Sequence, residues 1–183
     1  MIILMKIQSI AVFCGSKPGK SPLFTQHATE LGTAIASLQL KLVYGGGGVG
    51  LMGTVANAVL AGQGEVLGII PERLMEWETY HKNLTRLITV SDMHVRKKMM
   101  YEQCDAAVFL PGGFGTLDEL FEMLTWNQLK IHDKKIYILN SGGFYDHLRD
   151  HMKRMQEDGF LYDKLEERVQ FCSTPAEILD HIR

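Results

Sequence analysis

Two short stretches of the chain combine charged side chains with the backbone freedom that a bound anion requires. Residues 111–119 read Pro-Gly-Gly-Phe-Gly-Thr-Leu-Asp-Glu. The glycines let the chain turn tightly off a buried strand, and amides uncluttered by side chains can approach a phosphate closely. Thr116 is placed to cap the helix that follows, whose first amides would point into a cleft. Glu119 has two readings. Thr116-Leu-Asp-Glu119 is a T-x-x-E capping box, a purely structural device, or Glu119 is a carboxylate that acts on a ligand. The second stretch, residues 92–98, reads Asp-Met-His-Val-Arg-Lys-Lys. It places Arg96 and Lys97 near a helix start, where the dipole disfavours cations unless an anion compensates. Their plain reading is a solvated basic face, with Asp92 as N-cap and four residues from Arg96.

Other glycine-rich turns fall where a nucleotide site would need them. Cys14-Gly-Ser-Lys-Pro-Gly-Lys-Ser21 is one residue short of a phosphate-binding P-loop, and no acidic metal ligand follows at Leu110-Pro111. A plain strand-to-helix turn that offers amides or Ser16 to a ligand fits better. Gly45-Gly-Gly-Gly-Val-Gly-Leu-Met-Gly53 contains GxGxxG in two registers, with Glu72 22 residues after Gly50. That is dinucleotide-site context, but the second phosphate-type loop at 111–116 would then have no role. The seven histidines form no metal constellation: His147 and His151 are spaced i, i+4 without HExxH. No metal and no cofactor are expected.

These stretches must be held by a scaffold, and the apolar pattern shows which. Short continuous apolar runs at residues 7–13, 42–44, 66–70, 87–90, 106–110, 136–139 and 169–171 read as strands buried on both faces. Between them, residues such as Met52, Val55, Ala56 and Val59, or Leu117, Leu120, Phe121 and Leu124, step by three and four and make helical faces. Residues 71–86 read as a loop with at most one helical turn. Strand–helix alternation throughout implies an α/β, Rossmann-like, doubly wound, mostly parallel sheet of about seven strands, in a single domain over residues 1–183. Ligands of such sheets sit outside the carboxyl ends of the strands, at the switch point. The 183 residues carry 19 basic and 21 acidic side chains, which gives no basic field for a nucleic acid. No apolar run is long enough to span a bilayer. The apolar N-terminus runs into the first strand and is not read as a signal peptide. Cys14, Cys104 and Cys172 are an odd number without CxxC, which fits reduced thiols and a cytoplasmic setting.

Taken together, residues 92–97 and 111–119 resemble the two-part signature of the LOG (Lonely Guy) family. Its members are cytokinin riboside 5′-monophosphate phosphoribohydrolases, many once labelled lysine decarboxylases. Cys14-Gly-Ser16, Tyr44-Gly-Gly-Gly47, Gly50-Leu-Met-Gly53 and Ile70-Pro-Glu72 match in order and spacing, so the resemblance covers essentially the whole chain. It implies a Rossmann-like homodimer that cleaves the N-glycosidic bond of AMP or an N6-modified AMP, with Arg96 and Glu119 as the catalytic pair. Substrate-binding positions would be Glu78, Lys97, Gly112, Gly113, Phe114, Gly115, Thr116, Leu117, Asp118 and Thr125, with Ser16, Gly46 and Gly47 beside them. Asp118 stands where members often carry glutamate, and Phe114 where tyrosine is frequent. On this reading Arg96 keeps Glu119 charged at neutral pH by lowering its pKa. The helix at 116–130 would also meet a second copy of the chain, through Met123, Trp126 and Leu129. Two other readings remain: a non-catalytic nucleotide carrier or sensor, and a pyridoxal-phosphate decarboxylase, for which no lysine stands out.

Overall fold

A computed structural model describes residues 7–75 and 79–182. Among these the expected strands all form, each within two residues of its apolar run: β1 (Ser9–Phe13), β2 (Lys41–Tyr44), β3 (Val66–Pro71), β4 (Arg86–Val90), β5 (Ala106–Phe109), β6 (Lys135–Leu139) and β7 (Gln170–Cys172). They make one sheet in the order β4-β3-β2-β1-β5-β6-β7. All its pairings are parallel, with Val12 beside both Tyr44 and Val108.

The interior strands are buried on both faces, and successive residues divide between two cores. Ile10, Val12, Ala106 and Val108 face one layer, while Ala11, Phe13, Ala107 and Phe109 face the other. The first layer is built on α1 (Pro22–Ser37), α2 (Gly50–Ala61) and α8 (Pro175–Ile182). The second is built on α4 (Met93–Glu102), α5 (Phe114–Gln128) and α6 (Asp146–Glu157). Single helical turns form α3 (Glu72–Met75), the one turn expected in residues 71–86, and α7 (Leu165–Arg168).

The topology fixes where a crevice opens. The chain winds outward from β1 to β4, then returns to β5 on the other side of β1. After β1 it leaves for α1 on one face, and after β5 it leaves for α5 on the opposite face. Adjacent strands whose connections diverge in this way leave a gap at their carboxyl ends.

Candidate active site

Backbone bonds draw the loops of the crevice together. Leu110 N–H donates to Phe13 O at 2.9 Å and Gly15 N–H to Pro111 O at 3.0 Å, which extends the β1–β5 pairing beyond the strand ends. Leu51 N–H at the start of α2 donates to Gly15 O at 3.2 Å. Gly50, at φ +61°, packs directly on the Ser16 backbone. The start of α2 is therefore pressed against the first loop, and the GxGxxG turn serves packing. Below the crevice, the buried Tyr145 hydroxyl donates to Leu110 O at 2.7 Å, and Tyr145 N–H is itself held by Asn140 Oδ1.

α5 starts differently from α1 and α4. Ser21 caps α1 and Asp92 caps α4, accepting from His94 and Val95 N–H at 2.9 Å. The cap of α5 is Gly113, which has no side chain to offer, and no acidic residue lies in the first turn. A Cβ at Gly113 or Gly115 would meet nothing within 4 Å, so this helix end is open. An uncapped N-terminus with free surrounding space suits an anion. The expectation that Thr116 is the cap is corrected. Gly113 starts the helix earlier, Thr116 is buried in its first turn against Gly112, and Glu119 falls in the second turn. The capping-box geometry is absent, which removes the structural reading of Glu119.

Arg96 reaches the same cleft from the end of the first turn of α4. It is buried, with Nη2 donating to Gly45 O at 3.2 Å and Nη1 lying 3.6 Å from Met93 Sδ. Its Nε has no hydrogen-bond partner and its charge no ion-pair partner among the described residues. A buried guanidinium left in that state is costly unless a ligand completes it. Lys97 is handled otherwise: its ammonium pairs with Asp118 Oδ2 at 3.0 Å and with Glu122. Burial works against that charge, but the two carboxylates outweigh it and hold Lys97 above the usual lysine range.

Glu119 is buried, and the Tyr101 hydroxyl fixes its backbone carbonyl at 3.1 Å. Burial pushes its carboxyl up to about 7; Arg96 opposes this, Asp118 adds to it, and the smaller effects of Lys97 and Glu122 oppose and add in turn. The expectation that Arg96 would keep Glu119 firmly ionised is corrected: burial outweighs the arginine. The Cys14 thiol beside it is pushed far up by burial and by the charge of Glu119, so it is no nucleophile at neutral pH.

The cleft encloses about 500 Å³, within the ~300–1,000 Å³ typical of small-molecule sites. Ser16, Gly113, Thr116, Asp118 and Glu119 give it polar lining and open backbone. Met52, Leu74, Met93 and Met100 add apolar surface near Arg96, suited to a flat apolar ring. Among the described residues, no group of three or more His, Cys, Asp or Glu side chains is arranged to hold a metal.

The family model described as "Possible lysine decarboxylase" matches residues 52–182. A cytokinin riboside 5′-monophosphate phosphoribohydrolase of Arabidopsis thaliana is 42% identical over 174 residues, 95% of this chain and 75% of that protein. One of Rhodococcoides fascians is 45% identical over 166 residues, 90% of this chain and 84% of that one. The chain belongs to the LOG family. Among solved structures, the molybdenum cofactor binding protein of Rippkaea orientalis superposes with a TM-score of 0.73 at 21% identity, covering 97% and 96% of the two chains. At that identity the likeness speaks for the Rossmann-like fold alone.

In this LOG chain the signature residues divide by place. Arg96, Glu119, Ser16, Gly113, Phe114, Gly115, Thr116 and Asp118 line the cleft. Gly112 lies just beside it, packed so tightly on Thr116 and Gly15 that no side chain fits. Gly46 and Gly47 do not line the cleft and, with Gly48, hold residues 79–81: Gly46 O accepts His81 N–H at 2.9 Å, Gly47 pairs with Tyr80, and Gly48 N–H donates to Thr79 O at 2.7 Å. Leu117 is half-buried against the second core. Thr125 is far along α5, bonded to Phe121 O and lining a separate groove with Leu124 and Met155. Glu78 lies outside the described residues. The unpaired face expected on α5 is also corrected: Met123 is fully buried and Trp126 packs edge-on against Tyr101, while Leu129 alone of the three is exposed. Gly45, Leu74, Met93 and Met100 are cleft residues that sequence reasoning passed over. Met93, Arg96 and Met100 share one helical stripe, the only advance sign of the last two methionines.

Among the described residues, no helix is long and apolar enough to cross a membrane.

Proposed function

We propose that this protein hydrolyses AMP or an N6-modified AMP to the free base and ribose 5-phosphate. The observation that carries the proposal is one cleft holding a buried guanidinium without an ion-pair partner among the described residues, a buried carboxyl, and an uncapped helix N-terminus. The relatives named for cleavage of cytokinin riboside 5′-monophosphates support the choice of substrate class.

On this reading the 5′-phosphate sits on the amides of residues 113–116, and the base lies against the methionines. Cleavage breaks the C1′–N bond. Its electron pair leaves with the base, which takes up a proton, while positive charge builds on the ribose ring. Ionised Glu119 stabilises that charge and takes a proton from the water whose oxygen bonds C1′. A carboxyl with a pKa of about 7 is well matched to such work near neutral pH. Arg96 supplies the fixed positive charge the nucleotide needs. Remote binding of the phosphate orients the reacting centre, so the free nucleoside should react poorly. The decarboxylase label finds no support in the cleft. Lys97 is held protonated by two carboxylates, whereas a Schiff-base lysine must lose its proton.

A homodimer belongs to the same proposal. Thr125 lies about 14 Å along the helix from Thr116 and lines a groove apart from the cleft of its own chain, which supports its serving a nucleotide in the cleft of a second copy. The three free, buried thiols support a cytoplasmic setting.

Kinetics of Glu119→Gln and Arg96→Ala test the reading. Glutamine fills the same space without the charge, and turnover should fall on the order of a hundredfold, equivalent to about 2.7 kcal/mol. Near-full activity in Glu119→Gln would overturn the assignment. Nucleotide binding without base release by the native protein would leave a carrier.

A further inference from the structure

Glu122 neither lines the cleft nor belongs to the residues the family resemblance singles out, yet it contacts the ammonium of Lys97. The Lys97 side chain is only 9% exposed; of its partners, Asp118 is 62% exposed and Glu122 22%. Glu122 is therefore the more sequestered of the two counter-ions. It follows Glu119 by three positions and Asp118 by four, so the three carboxyls occupy adjoining places on α5. Facing them from α4 are Arg96, Lys97 and the Tyr101 phenol, and from the end of β1 the Cys14 thiol. The phenol and thiol stay neutral, because burial raises both well above their ordinary range. Two cations thus balance Asp118 and Glu122 while Glu119 carries its proton. When Glu119 ionises, the cluster holds one surplus negative charge, and the ionised Glu119 itself is shielded from water.

We infer that Glu122 is a positioning residue for the hydrolysis proposed above: by holding the Lys97 ammonium and contributing its own charge, it adjusts how readily Glu119 ionises. The inference rests on that reading of Glu119. A buried ion pair adds little stability by itself, whereas a charge beside a shielded carboxyl acts strongly on its ionisation. Glu119 already stands at about 7, where a modest change of nearby charge decides its state at neutral pH.

The test is the ionisation of Glu119 in the full-length protein, followed by carboxyl ¹³C NMR against pH. Its resonance is identified by its loss in Glu119→Gln. Glu122→Gln keeps the shape and removes one negative charge, and the midpoint should fall by about 0.5–1 unit. Lys97→Met removes the ammonium, and the midpoint should rise by about as much. The acid limb of kcat/KM for AMP should move with the midpoint in each variant. Either variant suffices if the other does not fold. A midpoint that stays within about 0.2 unit of wild type, or a loss of kcat/KM uniform across pH, would make Glu122 a structural residue only and overturn the inference. The titration needs no turnover. A shifted midpoint in a protein that releases no base would sink the proposed hydrolysis, while an unmoved midpoint in an active enzyme would sink the role of Glu122.

Discussion

Gly45→Ala tests whether Arg96 must stand where the structure puts it. Gly45 follows β2 and does not have a positive φ, so alanine meets no backbone strain there. The side chain is the difficulty. A Cβ at Gly45 would lie well inside 3.0 Å of Arg96 Nη2, 3.1 Å from its Cζ and 3.3 Å from Met52 Sδ. The guanidinium would have to withdraw by on the order of 1 Å to regain ordinary contact. It cannot do so freely, because Nη2 donates to the carbonyl of Gly45 itself. Overpacking of a well-filled site costs ~1–3 kcal/mol, and a flexible arginine end keeps the loss of stability near ~1 kcal/mol. The reaction should suffer more. A 1 Å misplacement of a positioning group costs on the order of a hundredfold, about 2.7 kcal/mol at the transition state. The assay is kcat/KM for AMP beside a thermal melt. Arg96→Ala is the reference background, in which Gly45→Ala should add little further loss, because the two share one contact. Gly45→Ala that melts near wild type and keeps wild-type kcat/KM would refute the reasoning.

The acid limb of kcat/KM should have its midpoint near the value of about 7 set by burial of Glu119; full activity persisting to pH 5 would contradict an ionised Glu119. Stability carries the opposite trend: Glu119 stays protonated in the fold between about 4.5 and about 7 but ionises in the unfolded chain. Its contribution is therefore complete below about 4.5 and lost as pH rises through about 7, on the order of 3 kcal/mol in all. Denaturant melts of Glu119→Gln should lack this component and gain on wild type above pH 7; parallel pH curves would show that burial does not strain the carboxylate. Light scattering at micromolar concentration should give about twice the 20.6 kDa of one chain, and the mass of a single chain would remove Thr125 from the site.

The sheet was legible because parallel strands buried on both faces read as continuous apolar runs, and runs such as 106–110 are too short for a buried helix. The glycine-rich turns marked strand ends where a ligand would sit, but only the strand order places the switch point between β1 and β5. Within the site, residue types were legible and their depths were not. The start of α5 was misplaced because Gly113 caps without a side chain, so Thr116 looked like the natural cap. Glu119 was expected to be ionised because Arg96 is visible in the sequence, whereas the burial that outweighs it belongs to the fold. Among the four consecutive glycines after β2, only the structure separates Gly45, against Arg96, from Gly46 and Gly47, which secure residues 79–81. The helical face of α5 was recognised, but its rotation on the sheet was not: Met123 takes the centre of the core and Leu117 the margin.

The most direct measurement is chromatography of the products after incubation with AMP, with isopentenyladenosine monophosphate, and with the two matching nucleosides. Free base and ribose 5-phosphate should appear in equal amounts from a nucleotide, with the corresponding nucleoside slower by an order of magnitude or more, the scale of a lost phosphate anchor of at least ~1.4 kcal/mol. No base from either nucleotide, or equal rates for nucleotide and nucleoside, would contradict a cleft built on the open end of α5, Arg96 and Glu119.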